Sequence, residues 1–201
     1  MAVISTVNHI RAENNFMPGE NPVNFSRKVF HRVTESDFNK MNVLTEIFNR
    51  VLEPLYGSQR KALCQIAEGK DRHCYLLYEN EVPAGVLVFK TIPSDEFSAF
   101  GVVNSVEVKS LFVDNSQKNS GKGLGSALLN KLHKEIEALE IPVQGMHVTV
   151  SESKDDSLAF FQKKGFQIAH VWEGRYKTGV NEYLLYCPKI ISSIEKSLHA
   201  A

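Results

Sequence analysis

The 201-residue sequence is poor in the features that mark secreted, membrane-spanning and metal-binding proteins. It has three cysteines, Cys64, Cys74 and Cys187, and so sparse and odd a set argues against a disulfide framework. No Cys-x-x-Cys pair or His/Cys cluster has the spacing of zinc ligands. Residues 1–15 contain no long apolar run, and no apolar stretch approaches the ~20 residues that span a bilayer. These absences predict a cytoplasmic protein that holds no metal.

An excess of charge of either sign is also missing. Lysine and arginine number 23 together, as do aspartate and glutamate, so the formal net charge is zero. A neutral chain offers no electrostatic argument for binding nucleic acid or an anionic membrane, and we expect neither partner. Hydrophobic residues make up 43% of the chain, which is enough for the packed core of one ordinary domain.

The chain divides into a polar start, a structured body and a short tail. Residues 1–26 are polar and contain Pro18-Gly19 and Asn21-Pro22 turn signals, which predict an N-terminal extension. Residues 27–190 carry the patterns of a folded domain, and residues 191–201 are predicted to form a C-terminal tail.

Apolar periodicity within the body predicts a strand, two helices, three strands, a helix, a strand, a helix and two strands, in that order. This order lacks the regular strand–helix alternation of a doubly wound sheet. It predicts an α/β (α+β) fold, in which a mixed, mostly antiparallel central sheet carries helices on its faces. In the predicted strand 104–113, uninterrupted alternation places the side chains of Glu107, Lys109, Leu111 and Val113 on one face and those of Val106, Val108, Ser110 and Phe112 on the other.

A glycine-rich loop, Asn-Ser-Gly-Lys-Gly-Leu-Gly-Ser at 119–126, follows that strand and opens a predicted helix. Free N–H groups at a helix N-terminus form an anion site, and glycines allow phosphate oxygens to approach closely. A kinase-type phosphate loop is excluded because Gly123 follows Lys122, and a Rossmann fingerprint is excluded because Ser126 replaces its last glycine. Taken alone, the cluster leaves open a simple strand-to-helix turn without a ligand.

Three segments, in this order, resemble the signature of the GNAT family of N-acetyltransferases. The central one is Val-Glu-Val-Lys-Ser-Leu-Phe-Val at 106–113, followed by Gly-Lys-Gly-Leu-Gly-Ser-Ala-Leu-Leu at 121–129. Residues 81–90 (EVPAGVLVFK) resemble the family's third strand, and residues 157–166 (SLAFFQKKGF) resemble its late helix. The resemblance covers about residues 29–188 and implies the GNAT-type sheet with helices on both faces.

The resemblance implies acetyl-CoA as co-substrate, with no metal. In the family, the strand pairs with the pantetheine arm and the loop holds the pyrophosphate. The positions that it assigns to the cofactor are Leu111, Phe112, Val113, Lys118, Asn119, Ser120, Gly121, Lys122, Gly123, Leu124, Gly125, Ser126 and Phe161. Ser120 stands where the family usually has Arg or Gln, and Lys118 could compensate.

The implied activity is direct transfer of acetyl, in a ternary complex, to a primary amine of a small molecule. Alternatives are a protein or peptide amine as acceptor, or an acyl-CoA-binding module without catalysis. An open groove beside Glu107 would favour a peptide, whereas a pocket closed by residues 92–101 would favour a small molecule. The resemblance is also compatible with a homodimer.

Glu107 is the predicted general base, because many family members carry a carboxylate here and an alkylamine with a pKa near ~10 must lose a proton before it attacks. The alternative is a solvated glutamate, or one paired with Lys109. Backbone N–H groups near Leu111 and Phe112 are expected to stabilise the oxyanion. Phe161 occupies the place of the family's acid tyrosine, so Tyr176 is named as the candidate acid. His147 is either a second base or structural.

Overall fold

The computed structural model of the protein describes residues 27–92, 95–113, 122–139, 143–176 and 178–188. The predicted extension 1–26, the tail 191–201, and Lys118, Asn119, Ser120 and Gly121 of the glycine loop lie outside these residues. The strands are β1 (Lys28–Arg32), β2 (Arg72–Glu79), β3 (Val82–Lys90), β4 (Ser105–Val113), β5 (Gly145–Ser151), β6 (Gln167–Glu173) and β7 (Asn181–Cys187). The helices are α1 (Phe38–Val51), α2 (Glu53–Tyr56), α3 (Arg60–Glu68), α4 (Leu124–Ala138) and α5 (Asp155–Lys163), with a 3-10 helix at Asp95–Phe100.

All seven strands join one sheet in the order β1-β2-β3-β4-β5-β7-β6. Neighbouring strands run antiparallel except β4 and β5, which are parallel and are connected through α4. The predicted mixed, mostly antiparallel sheet is therefore confirmed. None of the described helices is long and apolar enough to cross a membrane.

Two hydrophobic cores lie on opposite faces of the sheet. On one face, Leu124, Leu128 and Leu132 of α4 pack with the strand residues Leu87 and Val106. The repeat of four along α4 places these leucines on one side of the helix, as the sequence predicts. On the other face, Leu44 and Phe48 of α1 and Ile66 of α3 cover Leu76 and Val88. The 3-10 helix covers the β5–β7 half of this second face, where Phe97 packs on Leu184.

The β2–β3 hairpin has a turn of two residues. Glu79 pairs directly with Val82, which leaves only Asn80 and Glu81 in the turn. Both residues have positive φ, 50° and 68°, which is the left-handed conformation of a type I′ turn. Asn adopts it readily, but Glu is strained there because its Cβ crowds the backbone.

Uninterrupted alternation along β4 is wrong, because the strand contains a bulge. Phe89 pairs with Val108 and Val88 pairs with Ser110, so Lys109 is an extra residue without a partner on β3. After the bulge, each side chain of β4 lies on the face of the sheet opposite to the one that uninterrupted alternation would give it. As a result Leu111 and Val113 join Val106 and Val108 in the α4-side core, while Phe112 packs in the core of α1 and α3.

Candidate active site

The parallel strands β4 and β5 pair over only four residues and then separate. Their register runs from Ser105↔Gly145 to Val108↔Val148, after which β5 keeps its partner β7 and β4 keeps its partner β3. Residues 109–113 of β4 therefore face an opening, with no strand of the described chain on that edge. Backbone N–H and C=O groups along such an edge are available to hydrogen-bond a bound molecule.

The N-terminus of α4 lies directly after this stretch of chain. Gly123 is the N-cap residue, with φ of +69°, and no described side chain caps the helix. Its first N–H groups are therefore left to other partners. The ammonium of Lys122 is 2.7 Å from the buried Glu79 carboxylate, and Lys28 donates to the Lys122 carbonyl. The positive charge of Lys122 is therefore paired with the carboxylate of Glu79 at the end of β2.

Gly125 has a packing role that the sequence does not reveal. A Cβ at this position would lie 3.2 Å from the ring of Phe160 on α5. The absence of a side chain therefore lets α4 and α5 approach closely. Phe161 is buried with Phe160 and Phe166 at ring distances of 5.2 and 5.1 Å. It is a core residue here, and it has no hydroxyl with which to donate a proton.

Glu107 lies where β4 and β5 begin to separate, and only 2% of it is exposed. Its Oε1 accepts a hydrogen bond of 2.7 Å from Lys109 Nζ, whereas Oε2 has no hydrogen-bond partner in the described chain. A solvated glutamate is therefore excluded, and the pairing with Lys109 is confirmed. A carboxylate oxygen that is buried and unpaired costs free energy unless a substrate or water meets it.

His147 is the partner of Glu107 on β5 and is fully buried. Its Nδ1 is 2.8 Å from Ser105 Oγ, and its Nε2 lacks a hydrogen-bond partner among the described residues. Burial lowers the pKa of His147 to about 4, although the charge of Glu107 acts in the opposite direction. The imidazole is therefore neutral at physiological pH.

Buried polar side chains are concentrated on this face of β4, β5 and β7. Ser151 lies on β5, four residues after His147, and is the register partner of Glu182 on β7. Ser151 and Glu182 are both buried. Burial raises the pKa of Glu182, opposed by the Ser151 hydroxyl and by the charge of Arg175. The sequence analysis missed Glu182, Ser105 and Ser151. A signal existed, because β5 alternates apolar Met, Val and Val with polar His, Thr and Ser.

The 3-10 helix and the β6–β7 loop cover this polar face. The Phe97 ring stands 4.7 Å from the His147 ring and 6.1 Å from that of Trp172. Arg175 holds the two covering segments together, since its guanidinium lies 4.0 Å over Trp172 and bonds Glu96 at 2.9 Å. Sequence reasoning did not identify Arg175.

Tyr176, the candidate acid, lies on the same loop and is 56% exposed. Partial desolvation raises its pKa, and the negative charges of Glu96 and Glu107 act in the same direction against Arg175. Its hydroxyl is therefore protonated at neutral pH. The guanidinium of Arg175 lies 5.2 Å from the ring centre of Tyr176 and 5.6 Å from that of Phe97, which packs against His147. The structure thus brings Glu107, His147 and Tyr176 to one region and leaves Phe161 in the core.

The acetyltransferase (GNAT) family model matches residues 41–166, more than half of the chain. Solved structures share the fold. NAA60 of Arabidopsis thaliana in complex with acetyl-CoA is 17% identical, with a TM-score of 0.64 over 80% of this chain and 97% of that one. The ribosomal-protein-S18-alanine N-acetyltransferase of Escherichia coli is 16% identical, with a TM-score of 0.64 over 83% and 96%. The IAA acetyltransferase of Bacillus cereus is 17% identical, with a TM-score of 0.57 over 81% and 100%. No curated protein matches the sequence. The chain belongs to the GNAT family of acetyltransferases.

Proposed function

We propose that this protein transfers the acetyl group of acetyl-CoA to a primary amine of a small molecule, by direct attack in a ternary complex. Transfer from a thioester to an amine requires a neutral nucleophile, a stabilised oxyanion and a leaving thiolate. The separated strands and the covered polar face described above supply residues suited to each requirement.

The residues at the opening fit acetyl-CoA. The free edge of β4 at 109–113 offers backbone groups to an amide-bearing arm, and Leu111, Phe112 and Val113 are the proposed contacts. The uncapped N-terminus of α4, with Gly123, Leu124, Gly125 and Ser126, offers N–H groups to a pyrophosphate. A structural relative of the same fold has been solved with acetyl-CoA bound. The cofactor supplies an activated thioester carbonyl.

Glu107 Oε2 is the proposed proton acceptor. As the amine nitrogen bonds to the acetyl carbon, its proton passes to Oε2, directly or through one water, and the carbon–sulfur bond breaks. Lys109 donates to Oε1 and so leaves Oε2 as the oxygen that can accept the proton. Tyr176 is the proposed donor to the leaving thiolate, because its hydroxyl is exposed and protonated.

The covered position of Glu107 supports a small acceptor. Glu107 is 2% exposed, and the ring of Phe97 in the 3-10 helix packs against that of its neighbour His147 at an interplanar angle of 58°. The bond between Arg175 and Glu96 ties this cover to the β6–β7 loop. An extended peptide would need a groove along the base, whereas a compact amine needs only a pocket beneath the cover. The covered base is the observation that carries the proposal.

A thiol-release assay with acetyl-CoA, a panel of small amines and a panel of peptides tests the proposal. We expect turnover with a small amine and a loss of more than about tenfold in Glu107→Gln. Glu135→Gln is the matched control, because Glu135 is also ion-paired, to Lys131, but lies near the far end of α4.

Each other result contradicts part of the proposal. Turnover of peptides alone would assign a peptide acceptor. Cofactor binding without turnover in either panel would indicate a binding module, with Phe161 as the leading explanation. Equal losses in Glu107→Gln and Glu135→Gln would remove Glu107 as the base.

A further inference from the structure

Two buried polar atoms at the site, on adjacent residues, have no partner in the described chain. They are Oε2 of Glu107 and Nε2 of His147. The two residues are register partners on β4 and β5 and are 2% and 0% exposed. Nearly all buried polar atoms in folded proteins find a partner. Two such exceptions on paired residues therefore call for one explanation.

The tautomer of His147 decides whether these atoms suit each other. If the Ser105 hydroxyl donates to Nδ1, the neutral ring carries its proton on Nε2, and the paired residues offer one donor and one acceptor. In the opposite tautomer the paired residues would offer two buried acceptors and no donor, which is unfavourable. The chemistry of the pair therefore favours the Nε2–H form.

We propose that Ser105 and His147 are positioning residues for the base: Ser105 fixes the Nε2–H tautomer of His147, and His147 orients Oε2 of Glu107 through one bridging water. The two side chains make no direct hydrogen bond, so a single water is the shortest connection between them. The inference rests on the proposed function, since it assigns roles within the same site.

The surroundings of His147 keep the ring neutral and in place. The charged or titratable groups that face it are Glu107 and Lys109 from β4 and Tyr186 from β7, with the Glu96–Arg175 pair beyond Phe97. Phe97 packs against the ring from the 3-10 helix, at 4.7 Å between ring centres. A neutral, immobilised imidazole donates a hydrogen bond without competing with Glu107 for the proton.

Two variants of His147 separate positioning from packing. In His147→Gln the amide nitrogen reaches the place of Nε2 and keeps the distal donor. In His147→Asn the amide nitrogen lies near the place of Nδ1, so the contact with Ser105 is kept and the distal donor is lost. We expect kcat/KM for the amine to fall about tenfold in His147→Asn but less than about threefold in His147→Gln, as for one lost hydrogen bond.

The pH profile gives the second readout. Loss of a hydrogen bond to the ionised carboxylate should move the acid limb of kcat/KM to higher pH by about half a unit to one unit in His147→Asn. The acid limb of His147→Gln should stay in place. Equal losses in the two variants with unmoved acid limbs would show that the ring only fills space, and unchanged activity in both would also overturn the proposal.

Nitrogen-15 spectroscopy of the histidine rings tests the tautomer without any turnover. The His147 signal is the one that disappears in His147→Gln. It should report the neutral Nε2–H form between about pH 6 and 8 in the wild type and a mixture in Ser105→Ala. An Nδ1–H ring in the wild type would overturn the inference. If no amine is acetylated but the ring is Nε2–H, the proposed function fails while the placement of the proton stands.

Discussion

Lys109→Met removes the only cation that the described residues place directly on the carboxylate of Glu107, and it preserves most of the side-chain volume. The Nζ–Oε1 distance is 2.7 Å, and the glutamate side chain is 3% exposed. Removing one member of a fully buried ion pair costs about 3–5 kcal/mol. The Lys109 side chain is 34% exposed, so solvent screens part of the interaction. We therefore expect Lys109→Met to lower the free energy of unfolding by about 2 kcal/mol.

The loss should appear in the free energy of unfolding, because Lys109→Met leaves Oε1 of Glu107 buried without the hydrogen-bond donor that it has in the wild type. Urea unfolding of both proteins at pH 8, 6.5 and 5 measures this difference.

A double variant completes the test. In Glu107→Gln/Lys109→Met neither charge is present, so its stability at pH 8 should recover to within about 1 kcal/mol of the wild type. A deficit in Lys109→Met below about 0.5 kcal/mol at every pH would refute the view that this cation stabilises a buried carboxylate. A double variant as unstable as the single one would assign the loss to packing of the lysine stem.

Four further changes have expected outcomes. Glu81→Gly should stabilise the hairpin by about 0.5–1 kcal/mol in urea unfolding, because glycine adopts φ of 68° without strain. Gly145→Ala should lower the free energy of unfolding by about 3 kcal/mol, because the new Cβ would lie 2.3 Å from the Cys187 carbonyl oxygen. An unchanged melting temperature would contradict so close an approach of β5 to β7. Arg175→Met should raise KM for the amine several-fold, with KM for acetyl-CoA unchanged, because the cover loses its bond to Glu96. Lowering the pH from 7 to 4 should reduce the free energy of unfolding by up to about 3 kcal/mol through His147. The pKa of this residue falls from 6.5 to about 4 on folding, so the unfolded state binds more protons between these pH values. His147→Gln should lose this part of the pH dependence of unfolding.

The order and type of the elements were predictable because each carries a local pattern. The leucines of α4 recur every four residues, and Gly57 and Gly69 cap the ends of α2 and α3. The parallel pairing of β4 with β5 also agrees with a helix lying between them, since parallel strands need a crossover connection. Local patterns are sufficient for α1 and α4 because each of these helices buries one face against the sheet.

The bulge at Lys109 was not predictable from β4 alone. Its residues alternate apolar and polar without a break, and the extra residue is evident only against the partner strand β3. A bulge is a mismatch between two strands, so the information lies in both sequences and in their register. The consequence is large, because every residue after Lys109 changes face.

The site was predictable where a motif carries it and not where distant segments meet. Glu107 and the glycines belong to one continuous stretch of chain. Arg175 becomes a site residue only because the β6–β7 loop contacts the 3-10 helix, where Glu96 lies 79 residues earlier in the chain. Glu182 becomes one only because β7 pairs with β5. Neither charge has a local pattern that distinguishes it from a solvated surface residue.

The position of the site follows from the single parallel pair in the described sheet. In sheets with crossover helices, ligands bind at the carboxyl ends of parallel strands, where the helix that follows directs its N-terminus toward the same edge. Here β4 and β5 are the only described strands with that relation, and α4 connects them. The bulge at Lys109 lies where their pairing stops, so that Glu107 remains on the face opposite α4, while Leu111 and Val113 turn toward α4 beside the opening. The same irregularity therefore keeps Glu107 on one face of the strand and two of the proposed cofactor contacts, Leu111 and Val113, on the other. In the proposed function, an amine beneath the 3-10 helix meets the thioester at the gap between β4 and β5.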